Sequence, residues 1–238
     1  IYNDKSGIHI LDLRITYSAL EEAQEFVQKL VANSGKVLFV GTKPQAQKVV
    51  EEQATRAQMP YVNQRWLGGM LTNFSTIRKS LKKLSALENL QNQDTYTTDF
   101  SKKERLMMSR DKDKLDRALG GISSLNRIPA ALFVVDIKHE EIAVNEAKKL
   151  NIPVYGMVDT NSDPSLIDFE IPSNDDSFTS VSLIMDYISE AIAEGLKERE
   201  KIKEEIRIKQ EKEAAEKEAK AKKEAEKTIK ESKKEVSK

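Results

Sequence analysis

Lys36-Val37-Leu38-Phe39-Val40-Gly41-Thr42-Lys43-Pro44 decides how this chain is read. An apolar run without polar alternation is the pattern of a strand buried on both faces. The glycine and proline that follow turn the chain into a helix running through Arg56. The pattern recurs downstream. Ala130-Ala131-Leu132-Phe133-Val134-Val135-Asp136 reads as a second buried strand, followed by a helix over about residues 140–150. Ile152-Pro153-Val154-Tyr155-Gly156-Met157-Val158-Asp159 reads as a third. Strands and helices alternating at this spacing predict right-handed crossovers and an α/β fold with a parallel sheet covered on both faces. Upstream, residues 7–13 alternate like a strand. Residues 16–33 then carry Leu20, Ala23, Phe26, Val27, Leu30 and Val31 at helical spacing, stopped by Ser34-Gly35.

Two segments break the rhythm. Phe74, Ile77, Leu81, Leu84, Leu87 and Leu90 form one narrow apolar stripe; Phe100, Met107, Met108, Leu115, Ala118 and Leu119 form another. Residues 91–99 between them are polar, which predicts an antiparallel helical hairpin of coiled-coil type. After Ser177 a helix with Val181, Ile184, Met185, Ile188, Ala191 and Ile192 should pack on the sheet. Beyond Gly195 the composition turns to Lys, Glu and Ala, with helix propensity but few apolar residues. The expected organisation is an α/β core over 1–65 and 123–195, a helical insertion over 66–122, and a charged tail over 196–238 that is helical or disordered.

The 238 residues hold 39 basic and 39 acidic side chains, a balance that does not by itself suggest a nucleic-acid binder. The balance hides an asymmetry. Residues 197–238 hold 16 basic against 12 acidic side chains, leaving 23 against 27 for the body. Within the body, residues 60–83 carry Arg65, Arg78, Lys79, Lys82 and Lys83 and no acid, a local field suited to phosphate. There is no cysteine, hence no disulfide, thiolate site or cysteine nucleophile. No apolar run is long enough to span a bilayer, so no membrane partner is expected. The first residues do not resemble a signal peptide, and the missing initiator methionine suggests that residues precede Ile1. The cytoplasm is the expected compartment.

Several residues invite chemistry. Asp136 and Asp159 end parallel strands, where ligands of open α/β sheets bind. They could hold Mg²⁺ or act as acid and base; capping of the next helix and of a polar turn is the commoner use. Gly41-Thr42-Lys43 opens a helix, but neither Gly-x-x-x-x-Gly-Lys-Ser/Thr nor Gly-x-Gly-x-x-Gly is present. Thr42 is the expected N-cap, with Lys43 free to touch an RNA phosphate. Asp163-Pro164 makes a good helix start. His9 and His139 stand too far from other ligand types to suggest a metal site. Asn63-Gln64-Arg65-Trp66-Leu67-Gly68-Gly69-Met70-Leu71-Thr72-Asn73-Phe74 differs in kind: it joins the single tryptophan, a glycine pair and amide side chains to the basic stretch. Trp66, Gly68 and Gly69 are expected as structural anchors. Lys43, Arg65, Thr72, Asn73, Arg78, Lys79, Lys82 and Lys83 are the candidate RNA contacts. No catalytic residue, metal site or cofactor is expected. The alternative is an enzyme or binding module acting on a phosphorylated small molecule through Asp136, Asp159 and the Gly41 turn; a coiled-coil adaptor is a third class.

The segment 64–74 resembles the signature of the bacterial ribosomal protein S2 family. So do Phe39-Val40-Gly41-Thr42-Lys43 with Ala46, residues 129–136, Ile152-Pro153-Val154, and the blocks 158–164 and 171–177. These occur in family order over most of residues 7–195. The resemblance implies a flavodoxin-like, three-layer sheet with an inserted coiled-coil hairpin. It further implies a ribosome-bound, non-enzymatic protein between head and body of the small subunit. Its implied partners are small-subunit ribosomal RNA and neighbouring proteins, including the large OB-repeat protein that delivers messenger RNA; no small-molecule substrate is implied. The family's Gly-His and Trp-Asn-Pro segment before the first strand has no counterpart here, and the tail after Gly195 is a variable feature.

Overall fold

The computed structural model describes residues 1–93 and 100–235, with Lys5 and residues 209–235 described by backbone alone. The polar turn expected at 91–99 falls largely outside them. The chain divides into two units, Ile1–Gly195 and Leu196–Lys238.

The first unit opens with a hairpin of β1 (Asn3–Lys5) and β2 (Ile8–Ile10), a separate two-stranded antiparallel sheet. Ser6 and Gly7 both have positive φ, the backbone of a tight two-residue hairpin turn. Helix α1 (Leu13–Ala32) starts three residues before the expected boundary, because the Asp12 side chain accepts from the Arg14 amide at 3.0 Å and caps it. Then come β3 (Val37–Val40), α2 (Pro44–Arg56), β4 (Tyr61–Val62), α3 (Phe74–Gln91) and α4 (Lys102–Leu119). They are followed by β5 (Ala131–Val135), α5 (Glu141–Lys149), β6 (Val154–Val158), β7 (Phe169–Pro172) and α6 (Phe178–Glu235).

The main sheet is wholly parallel, in the order β4-β3-β5-β6-β7. Renumbered within the sheet, that is the flavodoxin-like order 2-1-3-4-5. All residues of β3, β5 and β6 are buried, as their unbroken apolar runs require. The two edge strands go beyond the sequence expectation. β4 is two residues long, and β7 mixes Glu170 and a terminal Pro172 with apolar residues, a composition suited to an edge.

Helices cover the sheet. Leu20, Ala23, Val27 and Val31 of α1 are buried, and Phe26 lies on the stacked pair Tyr155 and Phe169, whose centroids are 4.4 Å apart. All six apolar residues expected on the first turns of α6 are buried. At roughly 1.5–3 kcal/mol per side chain, that face supplies on the order of 10 kcal/mol before conformational entropy is counted. Helices α3 and α4 pack together, and their base joins the core through Ile77, Leu81 and Leu119. One expected seam residue does not belong to it: Met107 is 61% exposed, while Met108 beside it is half-buried.

The second unit is helical backbone through Glu235. Where its side chains are described, it exposes Ile202, Ile206 and Ile208 and pairs Arg207 with Glu204 at 2.7 Å.

Candidate nucleic-acid interface

In doubly wound sheets, ligands sit outside the carboxyl ends of the strands where the strand order reverses. Here that point lies between β3 and β5, where Gly41-Thr42-Lys43 and Asp136 leave the sheet. The crevice is occupied by the protein's own groups. The Lys43 ammonium lies 2.6 Å from Asp136, 2.9 Å from Asp175 and 2.8 Å from Asp176. Asp136 does not cap α5. Its residue has φ of 64°, and Oδ1 accepts from the Lys138 and His139 amides, both at 3.0 Å, closing the turn before that helix. Thr42 is not the N-cap of α2; Lys43 takes that position without a side-chain bond. Instead the Thr42 amide and hydroxyl donate to Glu140 Oε1 at 2.8 and 2.5 Å. Asp163 caps only a 3₁₀ turn, Pro164–Leu166.

The electrostatics follow from one cation among several anions. Burial disfavours the Lys43 ammonium, but bonds to Asp136, Asp176 and Asp175 outweigh it and hold its pKa above the ordinary lysine range. Burial pushes the Asp175 carboxyl up; Lys43 opposes this and the neighbouring Asp136 and Asp159 add to it. Asp159, Asp175 and Asp176 are the described residues that could hold a cation, with one carboxylate oxygen each within 4.8 Å of the others. A phosphorylated ligand would meet this surplus of carboxylates, and the one lysine among them is already engaged. The Lys43 ammonium therefore turns into the crevice, where Asp136, Asp175 and Asp176 hold it.

The tryptophan-glycine segment is organised by a residue that the sequence reading missed. Glu146, on the inner face of α5 and 6% exposed, receives five hydrogen bonds from that segment. Oε1 accepts from Trp66 Nε1 at 3.1 Å and the Gly69 amide at 2.6 Å. Oε2 accepts from the Leu71 amide, the Thr72 amide and the Thr72 hydroxyl, each at 3.0 Å. Burial pushes this carboxyl up, but the donors of Thr72, Gly69, Trp66 and Leu71 outweigh it and hold it below the usual carboxylate range. The only signal in sequence was a glutamate in register with Ala143 and Ala147 on an apolar helix face. Trp66 is buried in the core beside the hairpin base. Gly69 has φ of +89°, a backbone that only glycine adopts freely. Gly68 has no such demand, since a Cβ there would meet nothing within 4 Å. Thr72, an RNA candidate by sequence, spends its hydroxyl on Glu146.

The loop so fixed presents its flanks outward. Arg65, Asn73, Arg78, Lys79, Lys82 and Lys83 are all exposed, while Ile77, Leu81 and Leu84 turn inward. Among the described residues, Arg65, Arg78, Lys79 and Lys82 have no ion-pair partner; Lys83 lies 3.5 Å from Asp111, with both side chains about 60% exposed. The Asn73 side-chain Oδ1 accepts from the Thr76 hydroxyl at 2.9 Å.

The doubly wound unit thus fills its strand-end crevice with its own ion pairs and displays exposed cations on the helices inserted after β4. The family model for ribosomal protein S2 matches residues 1–195. The small ribosomal subunit protein uS2 of Cytophaga hutchinsonii is 51% identical over 210 residues, 88% of this chain and 82% of that one. Its counterpart in Acidothermus cellulolyticus is 54% identical over 199 residues, 84% and 72% of the two chains. That of Flavobacterium psychrophilum is 52% identical over 204 residues, 86% and 76%. The chain belongs to the ribosomal protein S2 family, a family of structural proteins and not of enzymes. No helix among the described residues is long and apolar enough to cross a membrane.

Proposed function

We propose that this chain is a structural constituent of the small ribosomal subunit that binds ribosomal RNA through Arg65, Asn73 and the exposed cations of α3. Family membership supports the ribosomal role and, with it, a ribosome-bound place in the cytoplasm. The observation that carries the RNA assignment is the basic face on 60–83. Its apolar residues go to the core and its cations stay exposed, with Arg65, Arg78, Lys79 and Lys82 unpaired among the described residues. Lys83 joins the set because a pair so exposed is weak and yields readily to a phosphate. Lys43 and Thr72 act inside the protein instead, in the crevice and on Glu146. In this reading 1–65 and 123–195 form the core, 66–122 is the RNA-facing insertion, and 196–238 is an accessory tail. Neighbouring small-subunit proteins, the large OB-repeat messenger-RNA-binding protein among them, are the protein partners. Binding to small-subunit particles lacking this protein tests the assignment. The Arg78→Ala, Lys79→Ala, Lys82→Ala protein should bind more weakly at low salt. Its salt slope should fall by about 0.7–0.9 for each phosphate that is no longer neutralised. Wild-type affinity across the whole salt series would place the RNA contact elsewhere.

A further inference from the structure

The loop between β4 and α3, residues 63–73, has no strand or helix of its own, yet every amide from Gly69 to Asn73 finds an acceptor within the protein. Met70 donates to the Leu67 carbonyl at 3.1 Å and Asn73 to the Gly69 carbonyl at 2.9 Å, turns that the loop makes by itself. Gly69, Leu71 and Thr72 donate to Glu146 instead. The loop contains no carboxylate of its own, and Glu146 reaches it from α5, in the second half of the α/β core. Arg65 precedes Trp66, whose ring nitrogen donates to Oε1; Asn73 follows Thr72, whose amide and hydroxyl donate to Oε2. Each of these two exposed side chains is thus next in the chain to a residue held by one oxygen of the same carboxylate. A plain surface connector needs no such anchor, because water satisfies the amides of most loops. What the anchor supplies is a loop whose shape is set before it meets a partner, so that less ordering remains to be done on binding.

We infer that Glu146 is a positioning residue for RNA binding, which touches no RNA itself and acts by holding Arg65 and Asn73 in a fixed arrangement on either side of the glycine pair. The inference rests on the RNA-binding reading above. It goes beyond that reading by giving a buried acid of the α/β core, 6% exposed, control over the geometry of a surface that meets phosphate. The sign of its charge separates this role from a direct one. Removing an anion near a phosphate-binding surface strengthens binding on charge alone. Weaker binding without Glu146 therefore has to come from the arrangement that it holds.

The test is a double-mutant cycle on the full chain: parent, Glu146→Gln, Arg65→Ala, and both together. A fifth protein, Ile188→Val with Ile192→Val, loses stability in the buried face of α6 and serves as the control for destabilisation alone. Each is titrated with naked small-subunit ribosomal RNA over a salt series, at a temperature where circular dichroism shows it fully folded. Glu146→Gln should bind about tenfold more weakly at low salt, for two side chains that must then be ordered on binding. Its salt slope should fall by about 0.7–0.9, the phosphate of Arg65, although the substitution removes no cation. The control should bind like the parent. Arg65→Ala should weaken the parent severalfold and add little to Glu146→Gln, because the contact is already lost there. Parent-like binding by Glu146→Gln while Arg65→Ala weakens overturns the inference and leaves the proposed function standing. So do independent, multiplying losses from the two substitutions, or a control that weakens as much as Glu146→Gln. Failure of the parent to bind the RNA overturns both readings.

Discussion

Replacing Glu146 by glutamine tests the claim that one buried carboxylate holds the whole segment from Trp66 to Thr72. In the native protein two oxygens accept five hydrogen bonds. Glutamine keeps one acceptor oxygen and turns an NH₂ group toward donors. If the carbonyl stays on Trp66 and Gly69, the amides of Leu71 and Thr72 face another donor. A buried donor left unsatisfied costs about 1–3 kcal/mol. The Leu71 amide is buried and bears the full cost, whereas water can reach Thr72, so the loss should be about 2–4 kcal/mol. For a unit of this size that lowers the melting temperature by roughly 5–15 °C, at about 2–4 °C per kcal/mol. The pH dependence has a definite sign. The folded carboxyl lies below its ordinary value. Its contribution is therefore complete above the unfolded value of about 4.5 and fades as pH falls through the lower folded value. The gap between parent and Glu146→Gln should be full at about pH 7 and narrow in acid. Urea unfolding at neutral and acid pH measures it, and Trp66, the single tryptophan and itself a donor to Glu146, reports the loop by fluorescence. A variant within about 0.5 kcal/mol of the parent at neutral pH, with unchanged Trp66 emission, would refute the reasoning.

Three further outcomes test other parts of the fold. Lys43→Ala leaves Asp136 and Asp175 buried without their cation and should cost about 3–5 kcal/mol at neutral pH. Because the folded Asp175 carboxyl is raised, it takes up a proton as pH falls, so the penalty should shrink towards about pH 4; equal losses at both pH values in urea unfolding would contradict this. Gly69→Ala should cost about 1–2 kcal/mol for a side chain at positive φ, while Gly68→Ala should lie within about 0.5 kcal/mol of the parent, and matched melting curves decide between them. Removing residues 196–238 should lower helical circular dichroism yet leave the melting of 1–195 within a few degrees; an unfolded product would disprove the proposed boundary.

What could be read from the chain beforehand divides along a physical line. The central strands were legible because residues 37–40, 131–135 and 154–158 are apolar without interruption, and burial on both faces needs nothing more. The inner face of α6 was legible because a 3.6-residue period is a local property. β4 was not, since two residues carry no period, and β7 hid behind Glu170 and Pro172. The pairing of Lys43 was illegible for a different reason. Its partners Asp175 and Asp176 stand 132 and 133 residues away, so no local pattern announces that the ammonium is already taken. Glu146 accepts from Thr72 across 74 residues, and its own helix gives only a charged residue where an apolar one is due.

Charge shows the same limit most clearly. The basic face on α3 stood out because residues 60–83 contain no acid, so a count along the chain and a count over the surface agree. On α4 they disagree. Asp111, Asp113 and Asp116 are interleaved with Arg110, Lys112, Lys114 and Arg117, and a window along the sequence sees near neutrality. Folding at about 100° per residue separates what the window averages: Arg110, Lys114 and Arg117 share a stripe, while Asp111 turns towards Lys83. The loop pinned by Glu146 then brings Arg65 to the foot of that stripe. A phosphate backbone samples charge by surface and not by sequence, so the cationic surface of this hairpin is larger than its composition suggests.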